Sequence, residues 1–123
     1  MVDNVKEIMI VDDNEDIRTT LQFVLEEEGF ETIVAENGDD CLKKLDEQSE
    51  KPDLILMDIM MPGTPVSQVV DKIEDIKIIY LSAVGVSTED KEKMLENDKI
   101  LNFIEKPFDE EKLIAYIKKK VGE

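Results

Sequence analysis

Five short apolar runs, at 7–11, 30–35, 54–57, 77–82 and 100–105, recur along this chain, and each is followed by a stretch with helical spacing. That alternation leaves few folds open. Strand and helix in strict succession imply an α/β architecture, with a parallel sheet, right-handed crossovers and helices on both faces. The run at 54–57, Leu-Ile-Leu-Met, is apolar throughout, as expected of a strand covered on both sides. Four of the runs also lead into a chemically reactive residue. Asp12 and Asp13 follow the first, Asp58 follows the third, Ser82 ends the fourth and Lys106 follows the fifth. In an open parallel sheet the carboxyl ends of the strands share one edge, and ligands bind in the crevice outside it. Three carboxylates, a hydroxyl and an ammonium are therefore expected in one cleft. Three carboxylates together point to a bound cation.

The helical stretches carry start and stop signals of their own. Asn14-Glu15-Asp16 reads as a capped, acidic helix start, followed by a stripe of Ile17, Thr20, Leu21, Val24 and Leu25, with Gly29 as the stop. Asn37-Gly38 marks a turn before a helix that turns Cys41, Leu42 and Leu45 inward. Thr64-Pro65 can serve as cap and first residue of a third helix, with Val66, Val69, Val70 and Ile73 inward. Ser87-Thr88-Glu89-Asp90 opens a fourth, carrying Met94 and Leu95. Asp109 caps a fifth, Phe108 staples onto Leu113, and Ile114, Ile117 and Val121 complete its stripe.

Composition narrows the function classes. At 123 residues the chain reads as one domain, 1–123, large enough for a core without a staple. The single Cys41 can form no internal disulfide and reads as a packing residue. No apolar run approaches the ~20 residues of a membrane span, and the first residues lack the features of a signal peptide. A cytoplasmic protein without a membrane partner is expected. The net charge of −16 argues against a nucleic-acid partner, because phosphates are repelled. There is no histidine, which excludes a histidine nucleophile, general base or metal ligand.

Asp12-Asp13, Asp58-Ile59-Met60-Met61-Pro62-Gly63, Ser82-Ala83 and Lys106-Pro107-Phe108, in this order and each at a strand end, resemble the receiver domain of two-component response regulators. The resemblance covers nearly the whole chain. It implies a flavodoxin-like, doubly wound sheet of five parallel strands in the order 2-1-3-4-5. That order sets the first strand beside the third and brings Asp12, Asp13 and Asp58 together. By the same resemblance Asp58 is the phosphoacceptor. Magnesium is held by Asp13, Asp58 and the backbone carbonyl of Met60, and Asp12 acts mainly through metal-bound water. Lys106 holds the carboxylate and later the phosphoryl oxygens. Ser82 hydrogen-bonds a phosphoryl oxygen and, with Phe103, forms a hydroxyl–aromatic switch. A cis Lys106-Pro107 peptide is implied as well. The implied donor is a sensor histidine kinase or a histidine phosphotransfer protein, since any phosphohistidine has to be the partner's. The output partner is not identified. It would read the face formed by the fourth helix, fifth strand and fifth helix. Such a protein catalyses only its own phosphorylation and dephosphorylation. The chain end suggests a stand-alone receiver, the alternative being one excised from a larger regulator.

Elementary electrostatics agrees with these roles. Two carboxylates ~4 Å apart repel by ~4 kcal/mol at an effective dielectric of ~20. Without a cation one of them tends to stay protonated, and a protonated Asp58 is a poor nucleophile. Oxygen donors with no sulfur or imidazole suit magnesium. Taken singly each residue has a plainer reading. Asp12-Asp13 is a helix cap, Lys106 a partner of surface acids, Ser82 a loop hydroxyl, and Phe103 and Met60 packing residues. Their joint occurrence at successive strand ends favours the site for the three aspartates, Ser82 and Lys106, while a buried Phe103 serves either reading. A phosphatase using an aspartate nucleophile would carry a second aspartate where Met60 stands, and a purely structural pseudo-receiver would have lost an acid or the lysine.

The chain also departs from the family pattern. Thr64-Pro65-Val66 replaces an Asp-Gly pair, the stretch from Asp58 to Ser82 is short enough to imply a trimmed third helix, and Glu96-Asn97-Asp98-Lys99 replaces a Gly-Ala pair. By the resemblance, Met60 and Val84 stand at the positions that border the approach of a hydrolytic water. Neither side chain can orient one by a strong hydrogen bond, so a long-lived phospho-form is expected.

Overall fold

A computed structural model of the protein describes residues 6–82 and 87–121. Its elements run β1 (Glu7–Val11), α1 (Glu15–Glu27), β2 (Glu31–Ala35), α2 (Gly38–Glu47), β3 (Leu54–Asp58), α3 (Val66–Lys72), β4 (Lys77–Ser82), α4 (Thr88–Leu95), β5 (Ile100–Glu105) and α5 (Glu110–Val121). The five strands are parallel and ordered β2-β1-β3-β4-β5, the doubly wound order expected. Val11 of β1 lies opposite Met57 of β3, so the residues that follow them, Asp12 and Asp58, emerge side by side.

The side-chain period of two along each strand divides the core into two layers. Met9, Val11, Ile55, Met57, Ile78 and Tyr80 face Cys41 of α2 and Val69 and Val70 of α3. Ile8, Ile10, Leu54, Leu56, Ile79 and Leu81 face Leu21 and Leu25 of α1 and Leu113, Ile114 and Ile117 of α5. β3 is buried along its whole length, which is why its sequence shows no alternation. Burying each such aliphatic side chain is worth about 1.5–3 kcal/mol. Cys41 belongs to this packing: its thiol lies 3.6 Å from the Met9 sulfur, and burial, with the charge of Asp40 second, pushes its pKa up to about 12.

The helix ends follow the local chemistry. The side chains of Asn14, Asn37 and Ser87 accept from the backbone N–H groups of Ile17, Asp40 and Asp90. Asp109 accepts from Glu111 and Lys112, and Phe108 packs in the same layer as Leu113. Gly29, at φ 92°, ends α1 in the left-handed conformation, with its N–H bonded to Glu26 O and the Phe30 N–H to Leu25 O. The peptide Lys106-Pro107 is cis.

Several local readings change. Asn37-Gly38 is not a turn but the cap and first residue of α2, and Gly38 is there for close approach: a Cβ on it would lie 2.5 Å from Val69 Cγ2. Thr64 does not cap α3. Pro65 stands at the cap with no side-chain bond, and the Thr64 hydroxyl donates instead to Asp39 Oδ1 at 2.8 Å. α3 is short, at seven residues, as the shortened segment implied. Thr20, placed on the stripe of α1, is exposed, and so is Leu95 of α4. β2 starts one residue later than the apolar run, because Phe30 completes the stop of α1. The β4–β5 register shifts between Ile78 and Ile79, which face Ile100 and Asn102, leaving Leu101 as an extra residue in β5. Among the described residues no helix is long and apolar enough to cross a membrane.

Candidate functional site

The sheet's carboxyl edge brings the expected residues together. Asp12 follows β1 and is fully buried, Asp58 closes β3 at 3% exposure, Ser82 closes β4 fully buried, and Asp13 is exposed. One carboxylate oxygen each from Asp12, Asp13 and Asp58 lies within 4.8 Å of the others. Lys106 Nζ sits 2.9 Å from Asp12 Oδ2 and 3.4 Å from Asp58 Oδ2. The second oxygen of each buried acid accepts a backbone N–H: Asn14 donates to Asp12 Oδ1 at 2.9 Å, and Met60 donates to Asp58 Oδ1 at 3.0 Å. Lys106 is held in place by its own backbone, whose N–H donates to Ser82 O at 2.7 Å. β4 and β5 thus stay joined at their ends.

These contacts set the electrostatics. Burial raises the pKa of Asp58 above the ordinary carboxylate value. The Met60 N–H opposes that shift, the neighbouring Asp12 adds to it, and Lys106 pulls back. Burial alone would lower Lys106, but the carboxylates of Asp12 and Asp58 outweigh it and its pKa is raised. One lysine beside three carboxylates leaves the cluster short of positive charge. The donor set is all oxygen, with neither sulfur nor imidazole, so the residues fit a hard divalent cation. Ser82 Oγ is buried without a hydrogen-bond partner among the described residues. An unsatisfied buried hydroxyl costs about 1–3 kcal/mol, and an incoming oxygen acceptor would relieve it.

Phe103 is half-buried and meets Tyr80 edge-on, with ring centroids 5.3 Å apart and planes at 62°. The two face each other in the β4–β5 register. Tyr80 was missed from sequence, although it stands two residues before Ser82 and so on the same side of β4. Burial, then the charge of Asp71, push its phenol up to about 12. Arg18 was missed as well. Its guanidinium donates to the Asp12 carbonyl at 2.8 Å, and its position one turn into the capped α1 was the available signal. The Met60 side chain is 66% exposed, while Val84 lies outside the described residues.

Comparisons with known proteins agree with this arrangement. Residues 8–118 match the response regulator receiver domain family. The chain is 33% identical over 120 residues to the alkaline phosphatase synthesis transcriptional regulatory protein PhoP of Bacillus subtilis, covering 92% of this chain and 47% of that protein. It is 36% identical over 119 residues to the phosphate regulon transcriptional regulatory protein PhoB of Escherichia coli, covering 92% and 50%. The chain therefore spans about half the length of these relatives. A receiver protein structure from Pseudomonas putida has a TM-score of 0.85 at 22% identity, covering 96% of this chain and 99% of that one, and so speaks to the fold. A CheY-like receiver domain from Methanospirillum hungatei has a TM-score of 0.75 at 30% identity, covering 94% and 91%. With this fold, this cluster of acids and a match over most of its length, the chain belongs to the receiver-domain family of two-component response regulators.

Proposed function

We propose that residues 1–123 act as a phosphorylatable receiver that takes a phosphoryl group from a partner's phosphohistidine onto Asp58, in a magnesium-dependent reaction. The observation that carries this reading is the convergence of Asp12, Asp13 and Asp58 beside Lys106 at the carboxyl ends of β1, β3 and β5. Asp13, Asp58 and the Met60 carbonyl would hold magnesium, with Asp12 acting through a bound water. Magnesium, when bound, neutralises the repelling carboxylates and the charge on the transferring group. A carboxylate oxygen of Asp58 attacks the phosphorus, and the P–N bond to the donor histidine breaks with its electron pair leaving on nitrogen. Lys106, already between the two buried acids, follows the developing charge onto the phosphoryl oxygens, while Asp12 keeps its ammonium in place. Ser82 Oγ, without a partner among the described residues, donates to a phosphoryl oxygen. Hydrolysis later returns the Asp58 carboxylate and phosphate.

The donor is a sensor histidine kinase or a histidine phosphotransfer protein, because this chain has no histidine of its own. A hollow of about 440 Å³ beside Lys106, with Ile17, Pro107 and Phe108 in its wall, suits a partner approaching over that edge. The output is a contact at the α4, β5 and α5 face with a protein still to be identified. The acidic balance opposes a nucleic-acid partner for this chain itself, and the reaction belongs to the cytoplasm, where the donors work. Apart from its own phosphorylation and dephosphorylation, the protein catalyses no reaction. Intact-mass measurement after treatment with acetyl phosphate and magnesium should show one added phosphoryl group, abolished by chelation and by Asp58→Asn. Full labelling of Asp58→Asn would overturn the assignment.

A further inference from the structure

We propose that the hydrogen bond between Thr64 and Asp39 is a positioning latch for the loop at 59–65, and that it sets the magnesium affinity of the site. The proposal rests on the metal-binding role of Met60 given above. That loop leaves the sheet at Asp58. Its start is fixed by the Ile59 N–H on Leu81 O at 3.1 Å and by the Met60 N–H on Asp58 Oδ1 at 3.0 Å. Beyond Met60 it passes through the exposed Pro62 and Gly63, the latter at φ 97°, a conformation that holds little by itself. Thr64 then donates its hydroxyl to Asp39 Oδ1 at 2.8 Å, across 25 positions of sequence. α3 has no side-chain cap, so this hydroxyl has left the local role open to it and ties the loop to another element.

The anchor is rigid although Asp39 itself is exposed. Asp39 lies in the first turn of α2, whose cap is fixed by Asn37 Oδ1 on the Asp40 N–H at 2.7 Å. Gly38, the preceding residue, is buried so closely against α3 that a Cβ would lie 2.5 Å from Val69 Cγ2. A carboxylate acceptor makes the bond charge-assisted, stronger than a neutral pair. The loop carrying the backbone ligand is thus clamped at both ends, by the acceptor Asp58 on one side and by α2 on the other. Groups bonded directly to a metal ligand change affinity about 10–100-fold, and Thr64, acting through the loop four residues from Met60, is expected at the lower end of that range.

The test is magnesium titration of the unphosphorylated protein by calorimetry, with the Met60 amide followed by NMR. Thr64→Val removes the hydroxyl and keeps the shape and every charge. It should weaken magnesium binding about tenfold, shift the Met60 amide, and leave the unfolding temperature without divalent cations within about 2 °C of the parent. Thr64→Ser should restore affinity to within about twofold. Thr64→Val in an Asp39→Ala background should bring no further loss, since the partner is already gone. Equal affinity for parent and Thr64→Val, or equal losses in Thr64→Val and Thr64→Ser, would overturn the latch while leaving the site reading intact. A parent that neither binds magnesium nor takes a phosphoryl group would sink both.

Discussion

Asp58 holds a carboxylate at 3% exposure beside a second buried acid, and Lys106 compensates only in part. Its raised pKa has a definite sign for stability. The native state binds this proton more tightly than the unfolded chain does, so the cost of the charge is absent at pH values below the ordinary carboxylate range. It is fully present above the native pKa. Asp58→Asn should therefore raise the unfolding temperature at neutral pH without divalent cations. The gain should shrink at low pH, where the parent is already neutral at this position. Magnesium should stabilise the parent more than the variant. Thermal melts at two pH values, with and without magnesium, would show it. A variant less stable than the parent at neutral pH would mean that Lys106 outweighs burial. The lysine's sign is the opposite: its raised pKa contributes stability below its ordinary value of 10.5, lost only as pH rises through the native one.

Among the elements, α2 and α3 meet in a close seam. Their seam is set by Gly38, which is not needed for a special backbone angle but because Val69 occupies the space of a side chain. Gly38→Ala should cost about 1–3 kcal/mol, the range for overpacking a filled site. Gly29→Ala makes an informative contrast. Nothing lies within 4 Å of its added Cβ, so its cost comes from φ 92° alone and should be about 1 kcal/mol. Urea denaturation measures both, and a loss for Gly38→Ala below about 1 kcal/mol would mean that the seam yields freely. α4 is held differently, with no fully buried residue, through Met94 and the Lys91–Glu105 ion pair at 2.8 Å. An element resting on so little buried area is the one that a signal at the sheet edge can displace most cheaply.

For the molecule as a whole, an unbroken line of contacts leads from the acids to Phe103 along β4 and β5. Ser82 ends β4, Tyr80 stands two residues earlier, and Phe103 meets Tyr80 from β5. An added phosphoryl group biases two states only by its differential contacts with them. Under the proposed function that would be about one charged hydrogen bond from Ser82, roughly 1.5–3 kcal/mol, plus the Lys106 contact. Beryllofluoride with magnesium should thus move amide shifts across residues 82–106, including the neighbourhood of Phe103. Changes confined to residues beside Asp58 would show a receiver in which this path is not a switch.

Strand and helix identities, their alternation and the residues at the strand ends were legible in the sequence because they rest on local physics. Apolar runs of strand length, caps such as Asn14 and Asp109, and the stop at Gly29 need no distant partner to be recognised. The cluster of Asp12, Asp13 and Asp58 was legible once the strand order was supplied by family resemblance, since parallel pairing then sends all three to one edge. Tertiary structure alone decided the rest. Whether Thr64 caps α3 or binds Asp39 depends on where α2 lies, and whether Gly38 is a turn or a contact depends on Val69. The extra residue at Leu101 and the Tyr80–Phe103 pair depend on how β5 registers against β4. Each of these is a choice between partners far apart in sequence, and neither propensity nor periodicity carries the distance between them.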